Sequence, residues 1–498
     1  MLRALRHAGY LWRIWRTLGR HGVELPLEAG GISRPSAALL RFLAGRPAAI
    51  ARHRRSGERL AAALAELGPS FVKLGQALSV RPDFVGADMA EDLGRLRDKV
   101  APFSAEAAVA AIEEEFGRPL EDLFRHFDRE PVAAASIAQV HFAATTEGEA
   151  VAVKVLRPGV EAAFRRDLAL FRWLAARLER HVPELRRLRP TAVVETVAET
   201  VAMEIDLRFE AAAAAELAEM FTDPTVFRVP KVDWRRTGQR VLTTERVTGI
   251  AIDDVVAVEA AGHDRKQLAA AVIQSFLTQA LEHGFFHADP HHGNLFVAPD
   301  GALVAVDFGI MGRLDRRTRL FMADMIGAFL RGDWHRAAQV HFDAGYVPPD
   351  RSVEAFALAC RAIGQPILDR PSNEISFGKL LAQLFAVTET FGMRTQPHLL
   401  LLQKTMATVE GVARTLDPEI DFWATSRPVV EPWARDNLSA EARLIDAARD
   451  GVKVMQRLPA LIDRLDQPAV EPIIAVRRRD WLPWLIAIGV LVLWLFDR

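Results

Sequence analysis

The 498-residue chain has one cysteine, no excess of charge of either sign and no internal repeat. Cys360 cannot form an intramolecular disulfide, and no Cys/His cluster has zinc spacing, so the cytoplasm is the expected compartment rather than an oxidising one. The 63 Lys and Arg are balanced by 64 Asp and Glu. The net charge of the protein therefore does not attract it to nucleic acid. Any basic site must therefore be local.

Half of the residues are hydrophobic, which suits a globular protein with a large core. The pattern to about Phe127 predicts helices, and Ile137–Ala143 with Ala150–Val155 predicts a hairpin across Thr146-Glu147-Gly148. Helical patterns follow over Val160–Arg180 and Pro190–Met220, and again over Arg265–His283. A small sheet followed by a mostly helical half predicts an α+β, two-lobed plan.

The N-terminal segment, Met1 to Arg20, lacks the apolar run and cleavage site of a signal peptide. Its mixture of Arg with Leu, Ile and Trp predicts a basic amphipathic helix. Such a helix could lie on an anionic membrane surface or pack on the domain as an additional helix, and the sequence leaves both alternatives open.

The C-terminal segment Trp481–Phe496 carries no charge and follows three arginines, Arg477 to Arg479. At about 1.5 Å per residue it is slightly shorter than the ~30 Å hydrocarbon core of a membrane. Its flanking tryptophans and arginines favour a C-terminal membrane anchor with the arginines on the cytoplasmic side. A buried helix and a hairpin that enters one leaflet, the latter favoured by Pro483, are the alternatives.

Three motifs in order point to nucleotide chemistry. Lys154 ends Val-Ala-Val-Lys on a predicted strand, where an ammonium can pair with phosphates. Asp289 and Asn294 lie in HADPHHGNLF, which resembles the H-R-D-x-x-x-x-N catalytic loop: the carboxylate can accept a hydroxyl proton and the amide oxygen can bind magnesium. Asp307 opens D-F-G after an apolar run and suits a hard cation that bridges phosphates.

The same histidine-rich loop has a second interpretation. His287, His291 and His292 with Asp289 could form a transition-metal site, because imidazole and carboxylate suit zinc or iron. No second histidine cluster supplies further ligands, so we expect His287 to brace the loop instead.

Three features separate the chain from ordinary protein kinases. The run Pro131 to Ser136, which includes Ala133, Ala134 and Ala135, stands where a glycine-rich loop would cover the phosphates. Alanine disfavours positive φ, so this loop should be stiffer. The A-P-E motif that closes the activation segment of kinases is absent after Asp307. The predicted helical segment before the hairpin contains Lys73, Gly75 and Gln76 in a K-x-G-Q motif.

In this combination and order the motifs closely resemble the UbiB family of atypical kinase-like proteins, from about Gly19 to the C-terminal segment. The resemblance implies an atypical protein-kinase-like fold with a helical N-terminal extension (1–130), an N-lobe (131–248), a C-lobe (249–470) and an anchor (471–498). It also implies a bacterial inner-membrane protein that uses ATP and Mg²⁺ and supports ubiquinone biosynthesis. Its kinase-like domain would lie in the cytoplasm.

The resemblance assigns roles by position. It implies Asp289, Lys154 and Lys73 as catalytic residues, Asn294 and Asp307 as metal ligands, and the Ala-rich loop with Ser136 as a nucleotide contact. Glu204 is the expected partner of Lys154, with Glu210 as the alternative, and Glu245 to Val247 would form the hinge for adenine. Lys73 is expected near Glu204 or Asp206, because a buried lysine is costly unless paired.

Two functions remain open at this point. One is an ATPase or kinase that acts on, or mobilises, a polyprenylated quinone precursor at the membrane. The other is a nucleotide-gated scaffold for quinone-biosynthesis enzymes. The presence of Asp289, Asn294 and Asp307 together favours the enzyme, because a scaffold has no chemical use for all three. Neither function involves nucleic acid.

Overall fold

A computed structural model describes residues 2–23, 55–79, 85–94, 96, 102–181, 190–221, 223–368, 391–393 and 397–438. The helices that precede the main sheet are α1 (Leu2–Arg20), α2 (Ser56–Leu67), α3 (Pro69–Ser79), α4 (Ala87–Leu93) and α5 (Ala105–Phe116). The predicted anchor, Trp481–Phe496, lies outside the described residues.

The main sheet is antiparallel and has five strands in the order β1-β3-β4-β6, with β2 paired to β3. Its strands are β1 (Phe124–Phe127), β2 (Ala133–Ala134), β3 (Ala138–Thr145), β4 (Ala150–Leu156) and β6 (Val241–Glu245). The predicted hairpin is confirmed as β3 and β4, which pair from Ala138↔Leu156 to Ala144↔Ala150.

The prediction of helix up to Phe127 is wrong at its end, because Phe124–Phe127 forms strand β1 on the edge of this sheet. Leu123 and Phe124 are buried with Ile112 of α5 and the valines of β4. Burial against the sheet therefore overrides the helical propensity of the preceding Ala- and Glu-rich residues.

Three helices are inserted between β4 and β6: α6 (Val160–His181), α7 (Pro190–Glu204) and α8 (Leu207–Met220). The sequence predicts α7 and α8 as one helix, and this is wrong. Asp206 has extended φ/ψ and its side chain accepts a hydrogen bond from the Arg208 N–H, which starts a new helix.

The rest of the described chain is mostly helical. Its strands are β5 (Phe227–Arg228), β7 (Ile250–Ala251), β8 (Phe285–His287), β9 (Leu295–Val297), β10 (Leu303–Ala305) and β11 (Met311–Arg313). Its helices are α9 (Val255–Ala260), α10 (Arg265–Leu277), α11 (Arg316–Leu330), α12 (Trp334–Asp343), α13 (Val353–Leu368), α14 (Pro397–Leu416) and α15 (Phe422–Leu438). The predicted strands around Leu295 and Val304 are confirmed as β9 and β10, which pair antiparallel.

Helix α1 packs on the domain, one of the two alternatives for the N-terminus. The Tyr10 hydroxyl donates to Asp167 Oδ1 over 2.7 Å, and Thr17 is buried. Trp12, Arg13 and Arg16 face outward. Within the described ranges, no helix combines the length and apolar character that a membrane crossing needs.

Candidate functional site

Lys154 lies on the face of β4 that is opposite to the buried valines. Val151, Val153 and Val155 pack in the cluster that contains Ile112 of α5. Because side chains alternate along a strand, Lys154 points to the other face. Its ammonium lies 2.8 Å from Glu210 Oε1 and 2.9 Å from Asp307 Oδ1.

The expected pairing of Lys154 with Glu204 is wrong, and the alternative partner Glu210 takes that place. Glu210 lies in the first turn of α8, after the break at Asp206, and both of its oxygens accept from the Lys154 ammonium, at 2.8 and 2.9 Å. Glu204 and Glu210 lie on either side of the break between α7 and α8 and pair with different lysines, Glu204 with Lys73 and Glu210 with Lys154.

One ammonium is thus shared by two carboxylates in different surroundings. Burial raises the pKa of Glu210 to about 7, opposed by the charge of Lys154 and reinforced by that of Asp307. The Lys154 ammonium holds the pKa of Asp307 well below its usual range. Burial alone would lower the pKa of Lys154, but the charges of Asp307 and Glu210 raise it. Glu210 is therefore the member of this group that titrates near neutrality.

We expect Glu210→Gln to remove a pH dependence of stability. With a pKa of about 7 when folded and 4.5 when unfolded, Glu210 binds more protons in the folded state between these values. The free energy of unfolding of the wild type should therefore fall, relative to the variant, as pH rises from 4.5 to 7, by at most about 1.4 kcal/mol per pH unit. Denaturant unfolding at several pH values measures this difference.

The control is Glu195→Gln, an exposed carboxylate that pairs with Arg172 at 2.8 Å. Arg172 lowers the pKa of Glu195, so its contribution is present above the ordinary carboxylate pKa and is lost only as pH falls below it. Equal slopes for wild type and Glu210→Gln between pH 4.5 and 7 would contradict the assignment to Glu210.

His287 braces the loop that carries Asp289, as expected. It is buried, and burial lowers the pKa of its imidazole. Its Nδ1 accepts from the Asp289 N–H at 3.1 Å, so Nε2 carries the proton that is donated to the Val306 carbonyl, also at 3.1 Å. The ring therefore links the Asp289 loop to the strand that leads into Asp307.

A backbone hydrogen bond links Asn294 to Val306, the residue before Asp307. The Val306 N–H donates to the Asn294 carbonyl at 2.9 Å, and Asn294 Nδ2 donates to the Asp289 carbonyl at 3.1 Å. Asp307 has a φ of 63°, the single positive value at a non-glycine residue in the described ranges. Strained backbone of this kind persists where the surrounding structure holds it in place, often at functional sites.

These residues fit a magnesium ion. With Nδ2 of Asn294 acting as a donor, its Oδ1 is the atom that can bind a cation. The Asp307 side chain is half exposed and can offer its other oxygen, and hard cations prefer such oxygen ligands. No cluster of three or more His, Cys, Asp or Glu suited to a metal occurs among the residues the structure describes.

Lys404 is a member of the site that sequence reasoning missed. It lies on α14, and its ammonium is 3.3 Å from Asp289 Oδ1. Lys404 is 115 residues from Asp289 in the chain and stands in a helical pattern without a recognisable motif, so no local signal could have found it.

Lys73 pairs with Glu204, as the sequence predicts. Its ammonium lies 2.8 Å from Glu204 Oε2, and both side chains are about nine-tenths buried. Asp206, the other expected partner, instead binds Arg208 at 2.7 Å. Lys73 and Gln76 lie on α3, which packs against α6 and α7, so the K-x-G-Q helix is attached to the helices that are inserted in the main sheet.

The expected nucleotide-contact residues differ in accessibility. Ala133 is exposed and Ala134 and Ala135 are partly buried, whereas Ser136 is fully buried and its hydroxyl has no hydrogen-bond partner among the described residues. The role of Ser136 in nucleotide binding stays a prediction.

The expected hinge begins at Glu245, the last residue of β6. The Glu245 N–H donates to the Lys231 carbonyl at 2.8 Å, so this donor is already used within the fold. Val247 is partly buried against Ala298, Ala302 and Val304. The roles of Glu245 and Val247 in adenine binding stay predictions.

Two family models match parts of this chain. Residues 95–341 match the ABC1 atypical kinase-like domain and residues 360–421 match the UbiB helical domain. A protein of Marinobacter nauticus named "Probable protein kinase UbiB" is 44% identical over 77% of this chain and 71% of its own length. A protein of the same name from Pseudomonas paraeruginosa is 39% identical over 97% of this chain and 93% of its own length.

The chain belongs to the UbiB family. The structure of Rv3197 from Mycobacterium tuberculosis, solved in a complex with erythromycin, is similar at 25% identity and a TM-score of 0.51, covering 73% of this chain and 93% of that one. In this UbiB-family chain, Lys154, Glu210, Asp289 and Asp307 lie within the kinase-like match, and Lys404 lies within the UbiB helical domain. The site is thus assembled from both matched segments.

Proposed function

We propose that the protein is an ATP-dependent phosphotransferase or ATPase that supports ubiquinone biosynthesis. The observation that carries the proposal is the convergence of Lys154 and Asp307, 2.9 Å apart, with the loop that holds Asp289 and Asn294. A buried lysine for phosphates, oxygen ligands for magnesium and a carboxylate at the acceptor position are the parts that phosphoryl transfer requires.

Each residue has a distinct task in this proposal. Lys154, oriented by Glu210, binds the phosphates of ATP. Asp307 and Asn294 would hold Mg²⁺, which would supply positive charge beside the phosphates. The oxygen of the acceptor hydroxyl or water bonds to the γ-phosphorus, and Asp289 accepts the proton of that hydroxyl or water. The bond from the γ-phosphorus to the β,γ-bridging oxygen breaks, and its electron pair leaves on ADP.

The substrate class comes from the family. Ubiquinone precursors carry polyprenyl tails, so the phosphoryl acceptor, or the molecule whose extraction ATP drives, would be a membrane-resident quinone precursor or a lipid beside it. Other quinone-biosynthesis proteins are proposed partners, and the bacterial inner membrane is the proposed location.

Quinone profiling of a deletion strain tests this function. Wild type should restore ubiquinone, whereas Asp289→Asn should leave its precursors accumulated. Full restoration by Asp289→Asn would favour the nucleotide-gated scaffold, and failure of the wild type to change quinone content would remove the link to this pathway.

The C-terminal segment is the proposed membrane anchor. Deletion of Arg477 to Arg498 should shift the protein from the membrane to the soluble fraction, because the uncharged run is its longest apolar stretch with interfacial tryptophans. If the fractionation does not change, the face of α1 that carries Trp12 and Arg13 becomes the candidate for membrane attachment.

A further inference from the structure

Lys404 lies beside Asp289, the residue that is proposed to accept the proton of the attacking group. Its helix, α14, is fixed to the catalytic loop at two points: the Thr405 hydroxyl donates to the Ala288 carbonyl at 2.9 Å, and Thr415 Oγ1 lies 3.1 Å from His292 Nε2. Thr405 is fully buried, whereas the Lys404 side chain is about half exposed. The base of Lys404 is therefore held rigidly while its ammonium can move.

The loop itself provides no permanent cation. Only Pro290, His291, His292 and Gly293 stand between Asp289 and Asn294. The ammonium of Lys154 is already held by Glu210 and Asp307. The His291 ring is 3.9 Å from Asp289 Oδ2 and half exposed, a longer contact than that of Lys404.

Phosphoryl transfer depends mainly on positioned positive charge around the transferred group. The Lys404 ammonium lies 3.3 Å from Asp289 Oδ1. In the proposed function Asp289 accepts the proton of the attacking oxygen, so this ammonium would lie within reach of the phosphoryl group that the oxygen attacks. We propose that Lys404 of the UbiB helical domain is a further catalytic residue, which binds the γ-phosphoryl group of bound ATP and keeps this contact during transfer. This inference rests on the proposed function.

The step balances without change at Lys404. The acceptor oxygen forms a bond to the γ-phosphorus, the bond from that phosphorus to the β,γ-bridging oxygen breaks with its electron pair leaving on ADP, and the acceptor proton passes to Asp289. Lys404 exchanges no proton in this step: its ammonium passes from the Asp289 carboxylate to the γ-phosphoryl oxygens when ATP binds and stays on them during transfer.

The proposal predicts different effects of Lys404 variants on the binding of ATP and of ADP, because only ATP has a γ-phosphoryl group. Lys404→Ala in the full-length, detergent-solubilised protein should lower kcat by about 10²-fold to 10³-fold, as loss of one charge-stabilising donor does in other enzymes. The affinity for MgATP should weaken by about tenfold, the equivalent of 1.4 kcal/mol, while the affinity for MgADP is unchanged. Lys404→Arg should recover at least part of both, because it restores the charge.

Lys266→Ala is the matched control, since it removes an exposed lysine from the first turn of α10 that is not part of the proposed site. Thermal unfolding of each variant checks that the fold persists, with Lys404→Gln as a second neutral variant. Equal weakening of MgATP and MgADP, or a fall in kcat with both affinities intact, would overturn the proposal and leave Lys404 as a residue that only positions Asp289. Wild-type protein that neither binds nor hydrolyses ATP would overturn the proposed function together with this inference.

Discussion

Asp307→Asn should reduce magnesium-dependent ATP turnover by about 10³-fold or more while the fold survives. The change is nearly isosteric, and asparagine tolerates the φ of 63° at this position. What is lost is the charge that binds Lys154 and would bind magnesium. Asn294→Ala should have a similar effect, because it removes the amide oxygen and the bond from Nδ2 to the Asp289 carbonyl.

Nucleotide-induced thermal stabilisation, measured with ATP in the presence and absence of Mg²⁺, checks this prediction independently of turnover. Asp300→Asn is the control, since it makes the same chemical change in an exposed residue that pairs with Arg228 and is not a proposed magnesium ligand. If both Asp307→Asn and Asn294→Ala keep the magnesium-dependent stabilisation of the wild type, these residues are not its ligands.

Lys73→Ala should both destabilise the protein and change its response to nucleotide. The variant leaves Glu204 buried without its lysine, and breaking a buried pair in this way costs about 3–5 kcal/mol. The charge of Lys73 also contributes to the low pKa of Asp307, so its loss changes the electrostatic field at the proposed magnesium site. We expect altered ATP turnover, release of autophosphorylation and failure to support quinone synthesis, and the same for Lys73→His.

A double variant separates stability from function at this position. Lys73→Met with Glu204→Leu removes both charges, so it should recover most of the lost stability. If the pair restrains the nucleotide site, the double variant should still show altered autophosphorylation. Wild-type turnover, autophosphorylation and complementation in Lys73→Ala would show that the Lys73–Glu204 pair has no functional role.

The sequence was informative where a motif and its structural element coincide. The alternation of Val151 to Val155 predicts a strand with Lys154 on the free face, and burial of the valines confirms it. The spacing from Asp289 to Asn294 predicts one loop, and their hydrogen bond confirms that they lie together. These relations are local, because strand periodicity and loop length depend on few residues.

The chain by itself therefore determined the family, the order of the motifs and the residues on which phosphates and magnesium are proposed to bind. Only the tertiary structure decided which acidic residue pairs with Lys154, since a single capping interaction at Asp206 breaks the predicted helix and brings Glu210 to the lysine. It also decided that Lys404 lies beside Asp289. Contacts between residues far apart in the chain depend on how helices pack, and helical periodicity indicates which face is buried but not what that face meets.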